Sequence, residues 1–281
     1  SLPAQHVRDA KIHQDGAAVN IQHDVGGFDV AVDHAALVGV VGGMADVDHG
    51  AQRVAHAHAP PGGVEALDAR AERFAGYLRQ HFRLKQPEDA GFSAGHASGR
   101  AKASYLRVVR GWAFDAESRE AAVLKGWVES RFGLSPRHHG GPLREPGSQG
   151  WQRYMDMRAQ GLRGTNALES QLDLLYAYCQ YELARQFPRR THLRLYRGVN
   201  RLAEHETVEG GRRGEKVLLL NNVNSFSRSR ERAGEFGDDL LAADVPVAKL
   251  VCFSQLLPGM LRGEDEYVVI GGLYRVRLVR F

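Results

Sequence analysis

Three short stretches of this chain carry residue types able to do chemistry. The last of them is Gly263-Glu-Asp-Glu266-Tyr-Val-Val-Ile270, where two glutamates one residue apart precede a β-branched run. If the run is a strand, Glu264 and Glu266 point to the same face, because strand side chains alternate with period two. Two carboxylates on one face of an apolar strand are costly unless a cation comes to them. Upstream, His192-Leu-Arg-Leu-Tyr-Arg197-Gly198 offers a guanidinium beside a residue with no side chain, and Asn221-Asn-Val-Asn-Ser225-Phe-Ser227 offers two hydroxyls at alternate positions. Each stretch has a plain reading when taken singly: a surface or ion-paired strand arginine, a polar strand edge, a solvated strand end. Their joint occurrence in this order points to one site.

The elements that must position these stretches follow from periodicity. Leu67, Ala71, Phe74, Leu78 and Phe82 recur at helical spacing, and further helices are predicted over about 102–114, 118–132, 149–160 and 166–187. Gly133 and Pro136 stop the third helix, and Pro188 closes the last. Beyond Pro188 the period switches from 3.6 to 2. Strands are predicted over 193–197, 217–220, 224–227, 247–253, 266–270 and 274–279, with a short helix over 229–236 and a Gly271-Gly272 hairpin turn joining the last two strands. A helical region, 65–190, thus precedes a β-rich region, 191–281, which is an α+β arrangement. His138 and His139 sit in a turn-rich connector and are expected to be solvated. The apolar, turn-forming segment 255–261 is expected to expose Leu and Met as a partner-recognition loop.

Residues 1–64 differ from everything after them. They hold seven of the thirteen His, no Glu, no Tyr and no Trp, and Arg8, Lys11 and Arg53 stand against seven Asp. The histidine spacings match no tetrahedral ligand set, so no metal is expected. Such a composition is that of a disordered segment, or of GC-rich DNA translated out of frame; retranslating the parent DNA would separate the two. The 281 residues are enough for a sizeable core, and no apolar run approaches the length of a membrane-spanning helix. Cys179 and Cys252 lie far apart in apolar contexts, which reads as reduced core thiols of a cytoplasmic protein. The formal charge of +4 lacks the clustered basic stripe of a nucleic-acid binder.

An Arg-Gly strand, a Ser-x-Ser strand and a Glu-x-Glu strand in that order resemble the arginine–serine–glutamate class of mono-ADP-ribosyltransferases. The flanks sharpen the likeness. Asn221-Asn-Val-Asn-Ser-Phe-Ser-Arg-Ser-Arg-Glu, Leu257-Pro-Gly-Met-Leu-Arg-Gly-Glu-Asp-Glu-Tyr-Val-Val-Ile-Gly-Gly and Leu124-Lys-Gly-Trp-Val-Glu-Ser-Arg-Phe-Gly-Leu resemble the dinitrogenase reductase ADP-ribosyltransferases of nitrogen-fixing bacteria. The likeness covers residues 65–281. It implies an ADP-ribosyltransferase-like core at 191–281 that binds NAD as substrate. It also implies an arginine of dinitrogenase reductase, the nitrogenase iron protein, as acceptor, with nitrogen fixation inactivated as the outcome.

Side-chain chemistry fits that implication. NAD presents a diphosphate, two riboses and a cationic nicotinamide. Arg197 suits the diphosphate and ribose, because a guanidinium stays charged and grips oxyanions bidentately. Gly198 would let backbone approach the nicotinamide amide, Ser225 could hold the Glu266 carboxylate, and Phe226 or Phe236 could stack on a flat ring. By resemblance, Glu266 steadies the oxocarbenium-like centre left by glycosidic cleavage, as carboxylates do in glycosidases. Glu264, again by resemblance, receives the acceptor guanidinium. An NAD glycohydrolase and a catalytically inactive nucleotide-binding regulatory module are the alternatives; a carboxylate at position 264 argues against the first, since water needs no dock, and the intact Arg, Ser and Glu set against the second.

Overall fold

The computed structural model describes residues 66–84, 104–163, 167–210, 215–257, 259–261 and 265–279, all within one compact unit. Residues 1–64 and Glu264 lie outside them. Five helices come first: α1 (Leu67–His81), α2 (Tyr105–Phe114), α3 (Arg119–Phe132), α4 (Gln149–Leu162) and α5 (Leu168–Gln186). Serines start three of them. Ser104, Ser118 and Ser148 each accept a hydrogen bond from the backbone N–H three residues on, satisfying a donor that the helix cannot. Gly133, at φ 66, ends α3 in the left-handed conformation that favours glycine. None of the described helices is long and apolar enough to cross a membrane.

The strands are β1 (His192–Val199), β2 (Thr207–Gly210), β3 (Glu215–Ser227), β4 (Asp239–Pro246), β5 (Leu250–Phe253) and β6 (Glu266–Val279), with the short helix α6 (Arg230–Gly234) between β3 and β4. All pairings are antiparallel. β1 pairs with β4 along its whole length, β4 with the C-terminal end of β6, and β6 with β3. β3 returns to β1 through Tyr196↔Ser227, so the ladder closes on itself. The fold is α+β, and helices and sheet share one hydrophobic cluster: Phe74, Trp127, Leu172 and Cys179 belong to it together with Leu195, Phe253 and Val268.

Three strand expectations need correction. The predicted 217–220 and 224–227 strands are one strand, β3, and the predicted 266–270 and 274–279 strands are one strand, β6. Gly271-Gly272 is therefore no hairpin turn. It lies mid-strand, where a Cβ on Gly271 would fall 1.6 Å from the Asn221 carbonyl oxygen and Gly272 adopts φ 94. The pairs Leu220↔Gly272 and Val223↔Ile270 leave two residues of β3 opposite one of β6, which is a β-bulge. Residues 247–253 divide into a single turn of 3-10 helix and then β5, and β4 was not foreseen. Asp239-Leu-Leu-Ala-Ala-Asp-Val-Pro246 lacks alternation because β4 lies between β1 and β6 with most of its residues buried.

Two surface expectations also fail. Leu256, Leu257, Met260 and Leu261 are buried in the core cluster, so their apolar character serves packing and not an exposed recognition loop. His139 is 3% exposed. Lys125, buried as well, donates to His139 Nδ1 (3.2 Å) and to the carbonyls of Ala116 and His138 (2.8 Å each). Burial, reinforced by the Lys125 charge, pushes His139 down to about 4, so it accepts as a neutral imidazole; burial likewise brings Lys125 down to about 8. His138 is exposed and faces Glu117 at 3.3 Å.

Candidate active site

One large cleft, about 1490 Å³, opens between α2 and the sheet. Arg197, Gly198, Ser225, Phe226, Phe236 and Glu266 all line it, so the structure brings together every described residue singled out from the sequence. Cross-strand geometry explains how. Ser227 stands opposite Glu266 and Ser225 opposite Val268 in the β3–β6 ladder, which makes Ser225 the diagonal same-face neighbour of Glu266. The Ser225 hydroxyl donates to Glu266 Oε1 at 2.8 Å. Because the bulge adds one residue to β3, Ser225 shares the face of Leu218 and Leu220; without it, Ser225 would point the other way.

Burial raises the Glu266 carboxyl above the usual range, and the Ser225 hydrogen bond pulls it back. A half-buried carboxylate held by one hydroxyl is poised to meet positive charge. Glu266 opens β6, and Asp265 before it has φ 56, so the alternation invoked for Glu264 and Glu266 does not run through Asp265.

Arg197 comes from β1. Its Nη1 donates to the Ser225 carbonyl (2.7 Å), and its guanidinium lies 6.0 Å from the Phe226 ring centroid. Nε is buried with no hydrogen-bond partner, and no carboxylate pairs with Arg197 among the described residues. Burial alone draws it down to about 10, which leaves it cationic at neutral pH. A partly desolvated guanidinium without a counter-ion favours an anion in the cleft.

The aromatic and glycine expectations divide. Phe226 is 2% exposed and packs against Tyr274 beneath Arg197, so its ring is committed to the core. Phe236 is 73% exposed at the rim and remains the ring free to stack. Gly198 has a packing reason before any ligand: a Cβ there would lie 2.1 Å from the Ala233 carbonyl oxygen. Gly237 is matched to it, since its Cβ would fall 2.4 Å from Val199 N. The two glycines seat the end of α6 directly on β1, which fixes the backbone on either side of Phe236. Ser227, the second serine of the pair, accepts from Ser229 N (3.0 Å) and shapes the turn into α6.

The Asn221–Asn224 run fastens this sheet to the helices. Asn222 Nδ2 donates to the carbonyls of Lys125 (2.8 Å) and Leu134 (2.9 Å), and Asn221 Nδ2 to that of His138 (3.0 Å). The opposite wall of the cleft was missed in the sequence. α2 and the turn after it contribute Arg107, Arg110, Trp112, Phe114 and Asp115. Arg110 Nε donates to the Gly259 carbonyl (2.8 Å), tying α2 to the segment before Glu266. One signal was available: Tyr105, Val108, Val109 and Trp112 form the buried stripe of α2, and Phe114 is an aromatic outside it.

A sequence model of the dinitrogenase reductase ADP-ribosyltransferase (DRAT) family matches residues 61–278. The chain belongs to this family. It is 42% identical over 214 residues to the NAD(+)–dinitrogen-reductase ADP-D-ribosyltransferase of Rhodospirillum rubrum, a span covering 75% of this chain and 78% of the relative. No solved structure gives a significant match. The DRAT match takes in α1–α5 as well as the sheet, and so both walls of the cleft.

Proposed function

We propose that this chain transfers ADP-ribose from NAD to an arginine of dinitrogenase reductase, in the cytoplasm of a nitrogen-fixing bacterium, and so inactivates nitrogen fixation. The observation that carries the reading is the chain of contacts from Arg197 to the Ser225 carbonyl and from the Ser225 hydroxyl to Glu266, inside one cleft of a DRAT-family chain. Arg197 would hold the diphosphate and neighbouring ribose of NAD. Phe236 would cover the nicotinamide. The bond between ribose C1′ and the nicotinamide nitrogen breaks, its electron pair leaving with neutral nicotinamide. Glu266, as carboxylate, stabilises the cationic sugar carbon as it forms. A guanidine nitrogen of the acceptor then bonds to C1′ and releases its proton, a step assigned to Glu264. The buried, free Cys179 and Cys252 suit a reducing compartment.

The test is incubation with labelled NAD and purified dinitrogenase reductase. Glu266→Gln should lose label transfer and nicotinamide release together, by about 10²–10³-fold, the usual cost of removing a well-placed electrostatic group. Glu264→Gln should lose transfer and keep slow nicotinamide release. No label on the acceptor from the unaltered enzyme would overturn the reading.

A further inference from the structure

An enzyme that modifies a protein must present a surface around its cleft, and one side of this cleft is built in a way that the chemistry of NAD does not require. Phe114 ends α2 at the rim and is 88% exposed, the most exposed of the large apolar side chains among the described residues. Its neighbours Ala113, Asp115, Ala116 and Glu117 are exposed too. Between Arg110 and Arg119 the only charges are Asp115 and Glu117, in a chain that is basic overall.

This lip is fixed in place. Glu117 N donates to Asp115 Oδ1 (2.8 Å), and Ser118 N to the Asp115 carbonyl (3.0 Å). Ser118 Oγ donates to the Gly111 carbonyl (3.2 Å), and the buried Lys125 ammonium donates to the Ala116 carbonyl from beneath (2.8 Å). A fully exposed aromatic is unfavourable in water, and one held on a pinned turn has little freedom left to lose on binding. Rigid exposed aromatics of this kind are the usual anchors of protein interfaces.

We infer that the 113–117 lip docks the protein acceptor, with Phe114 packing on the apolar surface beside the target arginine and Asp115 and Glu117 drawing in its positive charge. The inference rests on the transferase reading above and adds which surface recognises the acceptor. Charge complementarity favours this occupant. Phe114 and Asp115 line the same cleft as Glu266, and two carboxylates close to an aromatic match a guanidinium on an aliphatic stem.

The experiment compares the unaltered full chain, Phe114→Ser and Asp115→Asn/Glu117→Gln in three assays: label transfer to dinitrogenase reductase, transfer to the free guanidino compound agmatine, and NAD hydrolysis. The lip variants should raise KM for dinitrogenase reductase roughly tenfold or more, a far larger change than any in agmatine transfer or NAD hydrolysis. Raised salt should weaken the protein reaction of the unaltered enzyme more than that of Asp115→Asn/Glu117→Gln. Three results would overturn the inference alone: an unchanged KM for dinitrogenase reductase, an equal loss with agmatine, or a dimer of the unaltered chain that Phe114→Ser dissociates. Absence of transfer to any acceptor by the unaltered enzyme would overturn the transferase reading and this inference together.

Discussion

Replacing Arg197 by Met separates a functional guanidinium from a structural one. The methionine keeps an apolar stem over Phe226 and removes the charge. At about 1.4 kcal/mol per tenfold change in proton affinity, holding a group charged that burial has drawn down to about 10 costs the empty fold roughly 2–3 kcal/mol once partial exposure is allowed for. Losing the Nη1 bond to the Ser225 carbonyl costs about 1–3 kcal/mol in the other direction. The two nearly cancel, so Arg197→Met should melt within about 4 °C of the unaltered protein, at roughly 2–4 °C per kcal/mol for a chain of this size. Were Arg197 instead the structural partner of a buried acid, its loss would cost about 3–5 kcal/mol. NAD decides the rest. At a hundred times its dissociation constant a ligand adds about 2.7 kcal/mol, so saturating NAD should raise the midpoint of the unaltered protein by several degrees and leave Arg197→Met unmoved. Thermal melts with and without NAD, alongside isothermal titration, read both. A fall of more than about 10 °C without NAD, or an undiminished NAD shift in the variant, refutes the reasoning.

Ser225→Ala should move the acid limb of kcat/KM to higher pH, because it removes the contribution that lowers Glu266 and keeps the burial that raises it; a pH–rate profile of label transfer checks the direction. The same sign governs stability. A carboxyl raised in the folded state weakens the fold above its pKa and ceases to as the pH falls through it, so Glu266→Gln should be at least as stable as the unaltered protein at neutral pH in a denaturant titration. Glu182 is 0% exposed and takes two 2.7 Å bonds from Arg70, joining α5 to α1. Glu182→Ala should therefore lose about 3–5 kcal/mol in a urea melt, and Arg70→Met/Glu182→Leu should recover most of it. Gly271→Ala should lose more than about 3 kcal/mol, since its Cβ meets a backbone oxygen that cannot turn aside; a loss under about 1 kcal/mol, as for a turn glycine, would argue for the hairpin after all.

α1 and α2 were legible because each buries one stripe, and α2, α3 and α4 because each begins with a capping serine, both local properties. The predicted 118–132 and 149–160 helices match α3 and α4 within a few residues for that reason. β4 was illegible because it is covered on both sides, which erases alternation, and because Leu-Leu-Ala-Ala carries no strand preference of its own. Gly271-Gly272 misled because a glycine pair reads as a turn wherever strands flank it. The actual need is close approach of the Asn221 backbone, a contact made across strands. Phe226 and Phe236 were equivalent as aromatics in the sequence; burial separated them, one under Arg197 and one at the rim.

The order Arg197, Ser225, Glu266 and its flanks were enough, read as sequence, to point to the family, the substrate and the residues of interest, because side-chain chemistry at those positions has few substitutes. Which hydroxyl faces which acid was decided by the bulge in β3, and a bulge exists only once two distant strands have paired. The second wall of the cleft is also a tertiary product: α2 stands over Glu266 because Arg110 reaches the Gly259 carbonyl and Tyr105 N donates to the Gln171 side chain of α5. Such contacts span sixty residues or more of chain, and local pattern has no means of encoding them.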